Sequence, residues 1–145
     1  MEARQRMINE FSGQYEFLSN FYNTPISYNG LLFSNSEAAF QAQKTLDINE
    51  RKKFTEYHAG KSKREGKRVN LRKDWEEVKE QVMYEIVYAK FSQNEDIKEK
   101  LLATHEEYLE EGNTWGDKIW GTVNGIGENK LGKILMRVRG ELRNE

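Results

Sequence analysis

The chain has 145 residues, of which 37% are hydrophobic, 12% aromatic and 32% charged. That length makes one domain, 1–145, with room for a real core, and the aromatic content excludes a disordered chain. The 23 basic and 24 acidic side chains leave a formal charge of −1, so a surface that grips long nucleic acid without specificity is excluded and nucleic acid is at most a local ligand.

Met1 to Asn9 is charged and has no apolar signal core, and no later stretch approaches membrane-spanning length. The expected setting is therefore the reducing cytosol, with no membrane partner. Phe11 to Phe33 is rich in aromatics and turn residues. Inside it, Ile26-Ser27-Tyr28 and Leu31-Leu32-Phe33 flank Asn29-Gly30, a pair suited to a two-residue hairpin turn at positive φ. Ser34 and Glu37 have capping-box spacing and predict a helix to about Leu46. Asp47 and Glu50 repeat the spacing before a short helix ending near Gly60, and Ser62 with Glu65 suggests a third.

From Asp74 a longer helix is predicted, with Trp75, Val78, Val82, Ile86 and Ala89 on one face. Ile97, Leu101 and Leu102 mark another helix, and Tyr108-Leu109-Glu110 a short strand. Thr114 to Glu128 reads as a glycine-rich loop with two tryptophans. The last helix carries the apolar stripe Leu131, Ile134, Leu135, Val138 and Leu142. The expected class is α+β, a mainly α-helical single domain with a small β-hairpin.

Chemistry is narrowed by what is missing. Without cysteine, disulfides, thiolate metal sites and a cysteine nucleophile are excluded. His58 and His105 are too far apart in the chain to suggest catalytic zinc. No cofactor and no metal are expected.

On the helix from Asn35, Ala38, Ala39, Ala42 and Leu46 fall on one side at about 100° per residue, and Glu37, Gln41 and Lys44 on the other. Spacing alone favours a solvated charged face, with Glu37 serving only the capping box. The loop Trp115-Gly116-Asp117 with Trp120-Gly121 has two readings. It is a wall for stacking a base, with Asp117 reaching ribose hydroxyls or water, or it is a core plug whose glycines serve turns. Gly125, Gly127 and Gly132 around Asn129 precede a helix and resemble a weak phosphate cradle. Lys63, Arg64, Lys67, Arg68, Arg72 and Lys73 suit phosphate, although a solvated helix face explains them as well. Asn20, beside Phe21 in an aromatic run, presents an amide to a substrate or stabilises a turn.

Taken together and in order, FLSNFY (17–22), FSNSEAAFQAQK (33–44), GKRVNLRKDWEEVKEQVM (66–83), KF (90–91), WGDKIWG (115–121) and GENKLGKILM (127–136) resemble the NADAR, or YbiA-like, family over nearly the whole chain. The family more often places a histidine after the glutamate, where this chain has Ala38. The resemblance implies N-glycosidase activity on a phosphorylated N-riboside. That substrate is either a phosphoribosylamino-pyrimidine intermediate of riboflavin synthesis or ADP-ribosylated guanine, free or within nucleic acid.

Breaking a ribose–nitrogen bond needs an acid for the leaving nitrogen and a group that meets charge at C1. Glu37 is the expected acid. Lys44 is the expected nucleophile, or else a phosphate contact, and Asp117 orients ribose or water. Asn20, Phe21, Gln41, Arg68, Trp115, Gly116, Trp120 and Asn129 are the expected substrate contacts, and the helix face is expected to share one pocket with Trp115 and Asp117. The rival readings are a non-catalytic module that binds ADP-ribose-like nucleotides, and a partner-binding protein that uses the basic segment.

Overall fold

The computed structural model describes residues 7–145, so most of the charged N-terminal stretch read above lies outside the described residues. In chain order the elements are β1 Met7–Ile8, β2 Asn23–Tyr28, β3 Leu31–Asn35, α1 Ser36–Ala42, α2 Ile48–Lys53, α3 Ala59–Glu65, α4 Trp75–Gln93, α5 Glu95–Leu102, β4 Tyr108–Leu109 and α6 Lys130–Arg143. Helices dominate and the sheets are two-stranded, as expected for the α+β class. The chain divides into two compact units, a central one, Asn20–Glu95, and a terminal one built from the residues up to Ser19 and from Asp96–Glu145.

In the central unit, β2 and β3 form the antiparallel hairpin. Asn29 (φ 49°) and Gly30 (φ 80°) both occupy the left-handed region, which gives the turn that matches strand twist. Pro25 has no N–H to donate, and the pairing breaks register between Asn23 and Ile26. Gln93, at the end of α4, bonds both backbone groups of Ser27 (2.8 and 2.9 Å) and so ties the hairpin to the long helix. Ile26, Phe33, Phe54, Met83, Ile86 and Phe91 are buried around α1, whose Phe40 ring lies 5.0 Å from that of Trp75.

The helix boundaries differ from the sequence reading for local reasons. Asn35, not Ser34, caps α1, its Oδ1 accepting the Ala38 N–H at 2.7 Å. The capping box with Glu37 therefore does not form, because α1 begins at Ser36 and its cap falls one residue after Ser34. The helix stops at Ala42, and Leu46 stands 67% exposed beyond it instead of packing on the core. Asp47 does cap α2, accepting from Asn49 and Glu50. At α3 the cap is His58, whose Nδ1 accepts from Lys61 N, and Ser62 is buried within the helix.

In the terminal unit, β1 pairs in parallel with β4. The contact continues where Glu110 N donates to Ile8 O (2.8 Å) and Gly112 N to Asn9 O (3.1 Å). Leu131, Leu135, Val138 and Leu142 of α6 are buried, as the stripe predicts. Arg139, on the same helix, reaches Thr104 Oγ1 and Glu107 O.

Candidate functional site

In the central unit, α1 is buried on every side. Glu37 is 9% exposed and Gln41 6%, so the solvated face expected from spacing is not there. Glu37 Oε1 accepts from Gln41 Nε2 at 2.7 Å, one helical turn away, and Glu37 N donates to Asn20 O at 3.0 Å. Gly66 makes room for the glutamine, since a Cβ there would sit 2.0 Å from Gln41 Oε1.

The Gln41 amide is oriented by the carboxylate, because only its NH2 end can donate to Glu37. Its Oε1 is left as a buried acceptor without a donor among the described residues, and so is Asn20 Oδ1, whose amide NH2 meets the Met83 sulfur at 3.6 Å. Two unsatisfied acceptors thus sit on residues that touch Glu37, an arrangement that costs stability unless a donor arrives.

Lys44 lies just past the end of α1, its N–H donating to Gln41 O at 3.2 Å. It stands beyond the helix, which the sequence reading carried on to Leu46. Burial lowers its amine pKa below the ordinary lysine value, Glu37 opposes the shift, and Lys67 and Lys79 add to it. Lys44 therefore feels one carboxylate and two further amines. Lys79 was not a candidate from sequence.

Of the expected phosphate set, Arg72 is held by both oxygens of Asp74, at 2.6 and 2.9 Å. The Arg68 side chain is 77% exposed, with Glu65 at 3.4 Å, and Phe21 is 48% exposed. Lys90 was also missed. It is 1% exposed on α4, with Nζ 5.8 Å from the Tyr22 ring centre and 5.1 Å from that of Phe91, and burial lowers its pKa to about 7. The sequence signal was its position, since it shares a helical face with Met83, Ile86 and Val87.

The remaining candidates belong to the terminal unit. Trp115 is 62% exposed and Trp120 half-buried, so neither is a full core plug. Asp117 Oδ1 accepts from Ile119 N (3.0 Å) and Trp120 N (2.9 Å), which closes the loop that follows Gly116.

The glycine-rich loop does not present a phosphate cradle. The N–H groups of Glu128, Asn129, Lys130 and Leu131 already donate to carbonyls of residues 118–121. Asn129 is 2% exposed, and its amide bonds Leu109 O, the Tyr108 hydroxyl and Glu111 N, so it holds β4 to the start of α6.

A family model described as the NADAR domain matches residues 7–143. The chain is 41% identical over 135 residues to N-glycosidase YbiA of Shigella boydii, spanning 90% of this chain and 84% of that protein. It is 38% identical over 132 residues to a riboflavin biosynthesis protein of Vibrio vulnificus, spanning 88% of this chain and 35% of that longer protein. The NMR structure of the Escherichia coli protein YbiA superposes with a TM-score of 0.86 at 38% identity, covering 99% of this chain and 88% of that one.

Proposed function

The chain belongs to the NADAR family, and from that premise we propose that it is an N-glycosidase cleaving the bond between ribose C1 and nitrogen in a phosphorylated N-riboside. The observation that carries the reading is the buried Glu37–Gln41 pair beside the half-buried Lys44 amine. A carboxyl group in such a place can hold a proton and deliver it. An amine whose charged form is disfavoured by burial is a better nucleophile.

In this mechanism Glu37 gives its proton to the departing nitrogen as the C1–N bond breaks, and that nitrogen keeps the bonding electrons. The Lys44 amine supplies the pair for a new bond to C1 and then loses a proton. The ring oxygen leaves C1 and takes up a proton, which leaves an imine. Water adds at C1 and gives a proton back to Glu37, the amine departs, and Lys44 and the free sugar are restored. The buried acceptors Asn20 Oδ1 and Gln41 Oε1 suit ribose hydroxyls, which are donors. Lys67 and Lys79, with the exposed Arg68, suit the phosphate.

The substrate is either ADP-ribosylated guanine or a phosphoribosylamino-pyrimidine. Incubation with each, followed by chromatography, tests the proposal. Release of the base with the matching sugar phosphate from one of them supports it, and recovery of both intact overturns it.

A further inference from the structure

Arg51, in the central unit, is a half-buried cation that no carboxylate meets among the described residues. Its side chain donates from Nε to Thr45 O at 2.8 Å. Burial disfavours its charge, the neighbouring Arg72 guanidinium disfavours it further, and Tyr28 alone opposes them. Tyr28 brings no negative charge. Burial and the bond from its hydroxyl to Glu85 (2.7 Å) push its pKa up and keep it a neutral phenol, and the other Glu85 oxygen accepts from Gln81.

Arg72 does have a carboxylate, since Asp74 takes its Nε and Nη2. That leaves Nη1 of Arg72 and both terminal nitrogens of Arg51 as donors. Two guanidinium groups that repel each other in a partly desolvated place are stabilised by an anion shared between them.

A groove of about 480 Å³ opens at this point, lined by Thr45, Arg72 and Lys73 and walled by Leu46 and Leu71. Its two acids are engaged, Asp74 by Arg72 and Asp47 by the backbone N–H groups of Asn49 and Glu50. The Lys44 amine is a different centre, because the charges that act on it are Glu37, Lys67 and Lys79. The link between the two is backbone. Arg72 N donates to Lys44 O at 2.7 Å, and Arg51 holds the next carbonyl, that of Thr45.

We propose that Arg51, Arg72 and Lys73 form a binding site for a small tetrahedral oxyanion, an effector distinct from the substrate, which ties α2 to residue 72 and fixes the segment that carries Lys44. The site goes beyond the proposed reaction and stands without it.

The test is a proton–nitrogen NMR titration of the full chain with inorganic phosphate, repeated with chloride at matched ionic strength. The Nε–H signals of Arg51 and Arg72 should shift together in phosphate and saturate with a Kd on the order of 1 mM. Arg51→Gln keeps a donor and loses the charge, and should weaken the Arg72 response at least about 10-fold. At a phosphate concentration about ten times Kd, the Arg72 backbone N–H should exchange with solvent roughly 10-fold more slowly.

Chloride shifts equal to those in phosphate, shifts confined to Lys44 and Lys67, an Arg72 response that survives Arg51→Gln, or unchanged Arg72 exchange would each overturn the site. The wild-type titration needs no variant and so does not depend on a variant folding. Hydrolysis of an N-riboside by a protein that fails this titration would remove the effector site alone. A saturable site in a protein that hydrolyses neither substrate would remove the reaction alone.

Discussion

Gln41 Nε2 donates to Glu37 Oε1 at 2.7 Å inside a helix that is buried on all sides. The glutamine fixes the orientation of the carboxyl, and Gly66 leaves the room its amide needs.

Replacing Glu37 by glutamine keeps an oxygen that can accept from Gln41 and removes the proton. Turnover should fall by ~10²–10⁴-fold with substrate affinity within a few-fold. Because Asn35 caps α1, the melting temperature should not show the loss of roughly 1 kcal/mol that removing a cap brings. Melting and turnover measured on one sample check both statements.

Lys44 is tested by trapping. Borohydride reduces an imine to a stable amine, so substrate plus reductant should leave the protein heavier by its sugar phosphate. Lys44→Arg should abolish both adduct and activity, since arginine keeps its charge and cannot attack. The pH–rate profile should rise through a pKa below that of an ordinary lysine, because burial lowers this one. An active Lys44→Arg enzyme without adduct would reassign Lys44 to phosphate binding.

Lys90 makes a prediction about stability. Its folded pKa is about 7, against roughly 10.4 in an unfolded chain. Between those values the unfolded chain holds a proton that the folded protein lacks, so stability rises with pH, by up to ~1.4 kcal/mol per unit. Below the folded pKa this dependence vanishes. Denaturant unfolding at several pH values across that window should show the slope in the wild-type protein and its loss in Lys90→Met. Equal slopes in the two proteins would contradict the assignment.

Asp117 separates structure from chemistry. Asparagine retains the Oδ1 that accepts from Ile119 and Trp120, so Asp117→Asn should keep the melting temperature. A catalytic carboxylate would be lost, and turnover should fall by at least about 10-fold. Unchanged turnover would restrict Asp117 to closing its loop.

Local signals were the legible ones. Asn29-Gly30 demands positive φ and fixed the hairpin, and the apolar period of α6 marked its buried face. The β1–β4 pairing was not legible, because two short strands about a hundred residues apart carry no local pattern. Burial of Glu37 and Gln41 was hidden for a related reason: polar residues at helical spacing read as wet until tertiary packing covers them. Asn129 misled in the opposite direction, since a glycine-rich approach to a helix resembles a phosphate site until its N–H groups are traced to residues 118–121.

The central claim is tested most directly by a time course with both candidate N-ribosides, run in parallel on the wild-type protein and Glu37→Gln and read by chromatography with mass detection. The account predicts that the wild type releases free base and sugar phosphate in equal amounts from one of them and that Glu37→Gln does so at least about 100-fold more slowly. Equal rates for the two proteins, or both substrates recovered whole from the wild type, would contradict it.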